Sequence, residues 1–378
     1  MTSFHYNGFE VIFVANSNQQ RFYKNLEIIL TELPWYVEEF IDNKRRTLSP
    51  ASLLNYCHDF KIFFNWLLSE GFHPGPLKDI PLSILEKLTT QQIESFLGFL
   101  KHHLSNKDLT VNRKLSALKS LFNYLQNIAE TEQLEPYINR NVMAKIEFNQ
   151  VFEDPETTAN RMEGKILMGD EYEQFRAFVA EGFFEIIKDD KKKMNFYNFN
   201  RERDTAIVSL FLGSGLRLSE LVGLDLGDID FNKFNARVIR KGNKEQYVYF
   251  SEQAMLDLQD YIRIRMVRYK VEKNNKALFL SAPMGPKGTS RRLTPRAVEK
   301  LVEKYAVAFG KPSLSVHKLR HSFATRYHAE INDVPKLRRQ LGHSSIQTTM
   351  IYTHIQNDDL KRAINQLNMM DKLKENDN

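Results

Sequence analysis

The sequence predicts a mainly α-helical chain in two domains, with one small antiparallel β-sheet in the second. Three observations point there. Apolar residues recur three and four apart over most of the chain. This periodicity lapses between Asn149 and Lys165, where NQVFEDPETTANRMEGK collects polar residues, Pro155 and Gly164, as an exposed linker does. Two short β-like runs, ARVIR and EQYVYF, flank KGNK, whose Gly242 and Asn243 are turn residues, so they pair as a hairpin. The 378 residues suit two domains of about 100–200 residues each. We divide them into a leader (1–20), a helical domain (21–148), a linker (149–165) and a second domain (166–378).

The leader, MTSFHYNGFEVIFVANSNQ, holds a short apolar run and receives no assignment. From Phe22 to about Glu147 the pattern is helical. Ser49 and Pro50 form an N-cap and first-turn pair. The helix they open turns Leu53, Leu54, Cys57, Phe60, Phe64, Leu67 and Leu68 to one face, and Gly71 stops it. Thr110 is the expected cap of the next helix, TVNRKLSALKSLFNYL, whose inward stripe is Val111, Leu115, Leu118, Phe122 and Leu125. Opposite lie Arg113, Ser116, Ala117 and Ser120, a narrow strip of small side chains flanked by Asn112, Lys114 and Lys119. Such a strip can approach a nucleic-acid duplex closely, its bases binding phosphate. Taken alone, it reads better as a solvated polar face.

In the second domain Asp170 and Glu173 match a capping box for a helix running to about Ile187. The charged and aromatic segment KDDKKKMNFYNFNRER then reads as a surface loop, with Lys191 to Lys193 able to touch phosphate. RERDTAIVSLFL is helical, Ser251 and Thr294–Pro295 open two more helices, and the pattern is helical from Ser315 onward.

Composition narrows the function. Hydrophobic residues at 42% and charged residues at 26% are the balance of a folded protein, not of a disordered one. A net charge of +6 favours polyanionic partners without naming one. The single cysteine, Cys57, excludes an internal disulfide and a multi-cysteine zinc site, and on its apolar helix face reads as a small buried hydrophobe. No stretch approaches the roughly 20 apolar residues of a membrane helix, and the N-terminus lacks a signal peptide, so a cytoplasmic location is expected. No Walker motif, metal-ligand cluster or Ser–His–Asp pattern is present, so neither metal nor cofactor is expected.

Two segments carry chemistry. In VHKLRHSFATRYHAE, His317 and Arg320 stand three apart and share a face at the beginning of a helix, beside an apolar stripe of Val316, Leu319, Phe323 and Tyr327. In LGHSSIQTTMIYTHI, Gly342 ends a helix, Ser344 and Gln347 cap the next, His343 sits in the turn between, and Tyr352 lies near the end.

The set formed by Arg217 in GSGLRLSEL, Lys241 in the RKGNKE hairpin, HKLRH, LGH and YTH closely resembles the tyrosine recombinases, in order and spacing. The resemblance covers the whole second domain as their catalytic domain, and the helical first half looks like their SAM-like core-binding domain. It implies an enzyme that cuts and rejoins double-stranded DNA through a 3′-phosphotyrosyl intermediate. Arg217, Lys241, His317, Arg320 and His343 then form the activating set and Tyr352 the nucleophile. It also turns the strip into a candidate DNA contact of Arg113, Lys114, Ser116, Lys119 and Ser120.

The residue types suit these roles. Guanidiniums hold the charge that builds on nonbridging oxygens, as a metal otherwise would. Tyrosine must lose a proton, and His317 is the expected base or relay, with His343 donating to a nonbridging oxygen. The leaving 5′-hydroxyl needs a proton. Lys241 is the expected acid, because the family's lysine precedes the glycine, with Lys244 across the turn as the alternative. Glu220 is expected to brace Arg217.

ELPWYVEEFI, LMGDEYEQF and the segment before RERDTAIVSLFL resemble the single-component chromosome dimer resolvases of that family. That implies a homotetramer acting at a dif-like site, under control by a partner such as the DNA translocase FtsK. A phage or transposon integrase, a catalytically idle DNA-binding regulator and a type IB topoisomerase remain alternatives. Leu360, Ile364 and Leu367 form a stripe beyond Tyr352 suited to docking either on a neighbouring subunit as an exchange helix or in cis.

Overall fold

The computed structural model describes residues 3–6, 9–12, 17–151, 161–162, 164–240, 244–283, 285, 288–343 and 345–354. The expected docking stripe of Leu360, Ile364 and Leu367 lies outside them. The chain divides into two compact units, Met1–Phe152 and Glu153–Asn378.

The first unit opens with a hairpin, β1 (Ser3–Tyr6) and β2 (Phe9–Ile12), in the stretch left unassigned above. Six helices follow: α1 (Ser17–Leu30), α2 (Trp35–Lys44), α3 (Pro50–Ser69), α4 (Leu82–Lys87), α5 (Thr90–His102) and α6 (Asp108–Asn127). Ser49 caps α3 by accepting from the Ser52 N–H, and Gly71 follows its end at a φ of +78°. The predicted α3 face is buried together with Phe63 and Trp66, except Leu68, which is half-buried, and Cys57 is fully enclosed. Each wholly buried aromatic of this core contributes on the order of 2–3 kcal/mol. The predicted stripe of α6 is buried throughout. The helix begins at Asp108 with Lys107 as N-cap, however, so Thr110 is not the cap. A carboxylate in the first turn suits the positive helix end, and Lys101 holds that of Asp108 at 2.9 Å.

The second unit runs α7 (Glu171–Ala177), a π-helical turn (Phe178–Gly182), α8 (Phe183–Ile187), α9 (Lys191–Ser214) and α10 (Leu218–Gly223). A three-stranded antiparallel sheet follows: β3 (Ile229–Asp230), β4 (Asn235–Arg240) and β5 (Lys244–Tyr249), with β4 central. The predicted hairpin is β4–β5, whose register ends on Arg240 opposite Lys244. Five helices complete the unit: α11 (Glu252–Arg268), α12 (Pro295–Ala308), α13 (Val316–Ile331), α14 (Val334–Leu341) and α15 (Gln347–His354). Ser251 and Thr294 cap α11 and α12 as predicted.

Two further expectations fail. The predicted surface loop is the first half of α9, capped by the Asp190 side chain, which accepts from the Lys193 N–H at 3.0 Å. Its inward positions include Asn200, Arg203 and Asp204, all buried, so no apolar stripe marks this half of the helix. Arg203 and Asp204 pair with each other, Arg203 donating to the Leu280 carbonyl and Asp204 accepting from the Tyr305 hydroxyl. Asp170 and Glu173 form no capping box, because Asp170 already has helical backbone angles. Glu171 reaches back instead, accepting from the Met168 N–H at 2.9 Å. Among the described residues no helix is long and apolar enough to cross a membrane.

Candidate active site

Three chain reversals assemble the site. Gly215 ends α9 at a φ of +66°, where a β-carbon would lie 2.4 Å from Phe323. Arg217 follows as the N-cap of α10. The Arg217 guanidinium donates to Glu220 Oε1 at 2.7 Å and to the Gly342 carbonyl at 2.8 Å, while Glu220 Oε2 accepts the Arg217 backbone N–H at 2.9 Å. The bracing expected of Glu220 is therefore present. Arg320, on α13, donates to the carbonyls of Gly215 at 2.5 Å and Leu341 at 2.6 Å. Both arginines thus grip adjacent carbonyls at the C-terminus of α14, where cations are favoured. A guanidinium carries five N–H donors, so these bonds orient each one without consuming its capacity for an anion.

The LGH turn is held from behind by Arg240, the last residue of β4. It donates to the carbonyls of Arg339 at 3.2 Å and Gln340 at 2.7 Å, with its Nε 3.2 Å from Glu220. Gly342 is required there: its φ is +64°, and a β-carbon would lie 1.6 Å from Arg240 Nη1. Arg240 joins the hairpin to both Glu220 and the turn carrying His343, a link that no sequence period announces. Lys241, the next residue, lies outside the described residues, as do Gly242, Asn243 and Ser344. The Ser345 hydroxyl accepts from the Gln347 N–H at the start of α15.

Arg217, His317, Arg320 and His343 line one cleft of about 900 Å³. His317 stands at the first turn of α13, and His343 Nδ1 lies 3.0 Å from Thr349 Oγ1. Burial, then Arg320, Arg217 and Arg240, hold the His343 imidazole down to about 4. Burial and the neighbouring Arg217 lower Arg320 to about 10, which leaves it charged at neutral pH. Around Arg217 and Arg320 the cleft therefore concentrates fixed positive charge flanked by neutral imidazoles, while Glu299 and Glu303 also line it.

Tyr352 does not line the cleft. It is 2% exposed and packs with Met162, Ile166, Ala324, Leu337 and Leu341. Burial pushes its hydroxyl up to about 12, against a smaller opposing effect of Arg320. The imidazole touching that hydroxyl is His321, with Nδ1 at 2.9 Å, and not His317, the expected base. The signal for His321 was available, since it stands one helical turn beyond His317 in HKLRH and shares its face. The spacing of three before Arg320 points to His317 instead.

On α6 the structure separates the expected DNA-contact set. Lys114 is corrected outright: it is buried, its ammonium 3.0 Å from Asp59 on α3, and contributes nothing to the outer face. A basic residue on the α6 surface pattern turns inward because a buried carboxylate waits there. Asp59 also takes a bidentate pair from Arg113. Lys119 donates to the Met143 carbonyl at 2.7 Å and covers the Phe148 ring. Ala117 is buried, Ser120 is half-buried, and Ser116 is exposed.

Comparison with known proteins shows the family. Residues 180–358 match the phage integrase family, and residues 37–127 match the phage integrase N-terminal SAM-like domain. The chain belongs to the tyrosine recombinases of the phage integrase family, enzymes that cut and rejoin DNA. The tyrosine recombinase XerS of Streptococcus gordonii is 38% identical over 355 residues, which span 91% of this chain and 98% of the relative. That of Streptococcus pneumoniae is 38% identical over 346 residues, spanning 89% and 96%. Among solved structures, the XerH site-specific recombinase bound to a palindromic difH substrate, in a post-cleavage complex, shares the fold. Its TM-score is 0.63 at 21% identity, over 93% of this chain and 90% of that one.

Proposed function

We propose that this recombinase resolves chromosome dimers at a dif-like site, acting on double-stranded DNA as a homotetramer of one protein, with Tyr352 as nucleophile. The observation that carries the chemistry is the joint hold of Arg217 and Arg320 on the end of α14, which aims two guanidiniums into the cleft that His317 and His343 share. Those four groups take the nonbridging oxygens of the scissile phosphate, where charge grows as the fifth oxygen arrives. Tyr352 supplies that oxygen, and the resulting phosphotyrosyl ester conserves the bond for rejoining. Lys241 gives the departing 5′-oxygen its proton. A shift of α15 that keeps the Tyr352 hydroxyl within reach of His321 carries it from its packing to the phosphate. The XerS relatives support dimer resolution as the biological task, with a DNA translocase such as FtsK as the controlling partner.

A suicide substrate built on chromosome-terminus DNA tests the reading, because a nick beside the scissile phosphate traps the covalent complex. The wild type should give an SDS-resistant adduct mapping to Tyr352, and Tyr352→Phe should bind DNA without forming one. An adduct that persists in Tyr352→Phe, or maps to another tyrosine, sinks the assignment.

A further inference from the structure

We propose that His321, rather than His317, takes the phenolic proton of Tyr352 as its oxygen attacks phosphorus. The inference rests on the reading of Tyr352 as nucleophile and adds a residue to its machinery. Among the described residues, the hydrogen bond at the Tyr352 hydroxyl is the one to His321 Nδ1, at 2.9 Å. With its own proton on Nε2, that imidazole accepts at Nδ1, and the phenol donates. The His317 ring stands across His321, perpendicular and 4.4 Å away, so the three side chains are arranged in sequence. His317 lines the cleft, whereas His321 and Tyr352 do not. His317 is thus placed for the phosphate and His321 for the nucleophile.

The step balances. The bond from Tyr352 Oη to phosphorus forms as the bond from phosphorus to the 5′-oxygen breaks. The phenolic proton passes to His321 Nδ1, giving an imidazolium, and a separate proton from Lys241 goes to the leaving oxygen. Rejoining reverses both transfers.

The surroundings also tie this transfer to substrate. His321 is faced by His317, Lys318 and Arg320 from its own helix, by His343 from the turn after α14 and by Tyr352 from α15. Burial first, then His317, Lys318, Arg320 and His343, press its imidazole down to about 3, so without DNA the proton stays on Tyr352. A phosphate anion in the cleft offsets the positive field of Arg217 and Arg320, making an imidazolium at His321 acceptable. At the same moment, bonding to phosphorus draws charge from the phenolic oxygen.

The test uses the full-length protein on the suicide substrate, comparing His321→Asn with His317→Asn over about pH 6 to 9. Asparagine keeps an acceptor near Nδ1 but is no base. His321→Asn should bind DNA as the wild type does and form the Tyr352 adduct about 10²–10³-fold more slowly. Its rate should climb by about tenfold per pH unit as solvent base substitutes, while the wild type stays nearly flat. A 5′-phosphorothiolate, which relieves the leaving group, should not restore it. His317→Asn should be slowed without the steep pH dependence. Wild-type rates in His321→Asn would reduce the contact to positioning and overturn the proposal. Steep pH dependence in His317→Asn alone would return the base to His317. Faster adduct formation by His321→Ala would make the bond a latch that holds Tyr352 inside. Loss of DNA binding in both His321→Asn and His321→Gln would make His321 structural, again against the proposal. None of these outcomes resembles failure of the nucleophile reading, which appears as an adduct surviving Tyr352→Phe.

Discussion

At the residue scale, the site divides its labour by which charge each group can carry. Guanidiniums suit the phosphate because they hold a permanent charge, and Arg320 keeps its own even where burial lowers it to about 10. Glu220 is occupied by Arg217 and Arg240, while the carboxylates that line the cleft are Glu299, paired with Arg296, and Glu303. The proton donor to the leaving group can be isolated by changing that group. A 5′-bridging phosphorothiolate departs as a thiolate, whose conjugate acid is several pKa units stronger than an alcohol and needs no donated proton. Lys241→Ala should therefore cleave ordinary DNA very slowly and the sulfur-substituted strand nearly as fast as the wild type. Arg320→Ala should remain impaired on both, since sulfur does nothing for charge on the nonbridging oxygens. Rescue of Lys244→Ala instead would move the acid across the turn.

At the element scale, α3 and α6 are stapled by charge as well as by apolar packing. Asp59, 2% exposed, receives Lys114 and Arg113, and Lys114 is itself 7% exposed. Removing Lys114 takes one charged hydrogen bond from buried Asp59, which keeps its bidentate pair with Arg113, at a cost of about 1–3 kcal/mol. Lys114→Ala should thus lower stability to denaturant by about that much, while the salt dependence of DNA binding by the folded protein stays as in the wild type. A loss of affinity and a shallower salt slope at unchanged stability would restore Lys114 to the DNA face. The same element shows the limit of surface patterns. An i, i+3, i+4 strip identifies which residues share a side of a helix, but Lys119 and Asn112 on that side are engaged by the 143–149 segment, a contact set by the chain's return path.

At the scale of the whole molecule, each unit carries its own core. Phe40, Phe60, Phe63, Phe64, Phe96 and Phe122 are fully buried within the first, and a separate set centred on α9 fills the second. A fragment of residues 1–152 should accordingly show helical circular dichroism and a single cooperative thermal transition. A broad, non-cooperative melt would mean that this core depends on the second unit.

The sequence by itself determined the helical periods, the caps at Ser49, Ser251 and Thr294, the β4–β5 hairpin and the motif set from Arg217 to Tyr352. These follow from local rules, in which a hydroxyl caps its own helix and a stripe reports its own face, or from residue types at set spacing. Tertiary structure decided what depends on partners far along the chain. It placed Lys114 on Asp59, set the Arg203–Asp204 pair into the inner side of α9, braced the Gly342 turn with Arg240, and set His321 rather than His317 against the Tyr352 hydroxyl. A buried charge or a hydrogen-bonded imidazole is fixed by its counterpart across the fold, and a one-dimensional period carries no record of which counterpart folding brings near.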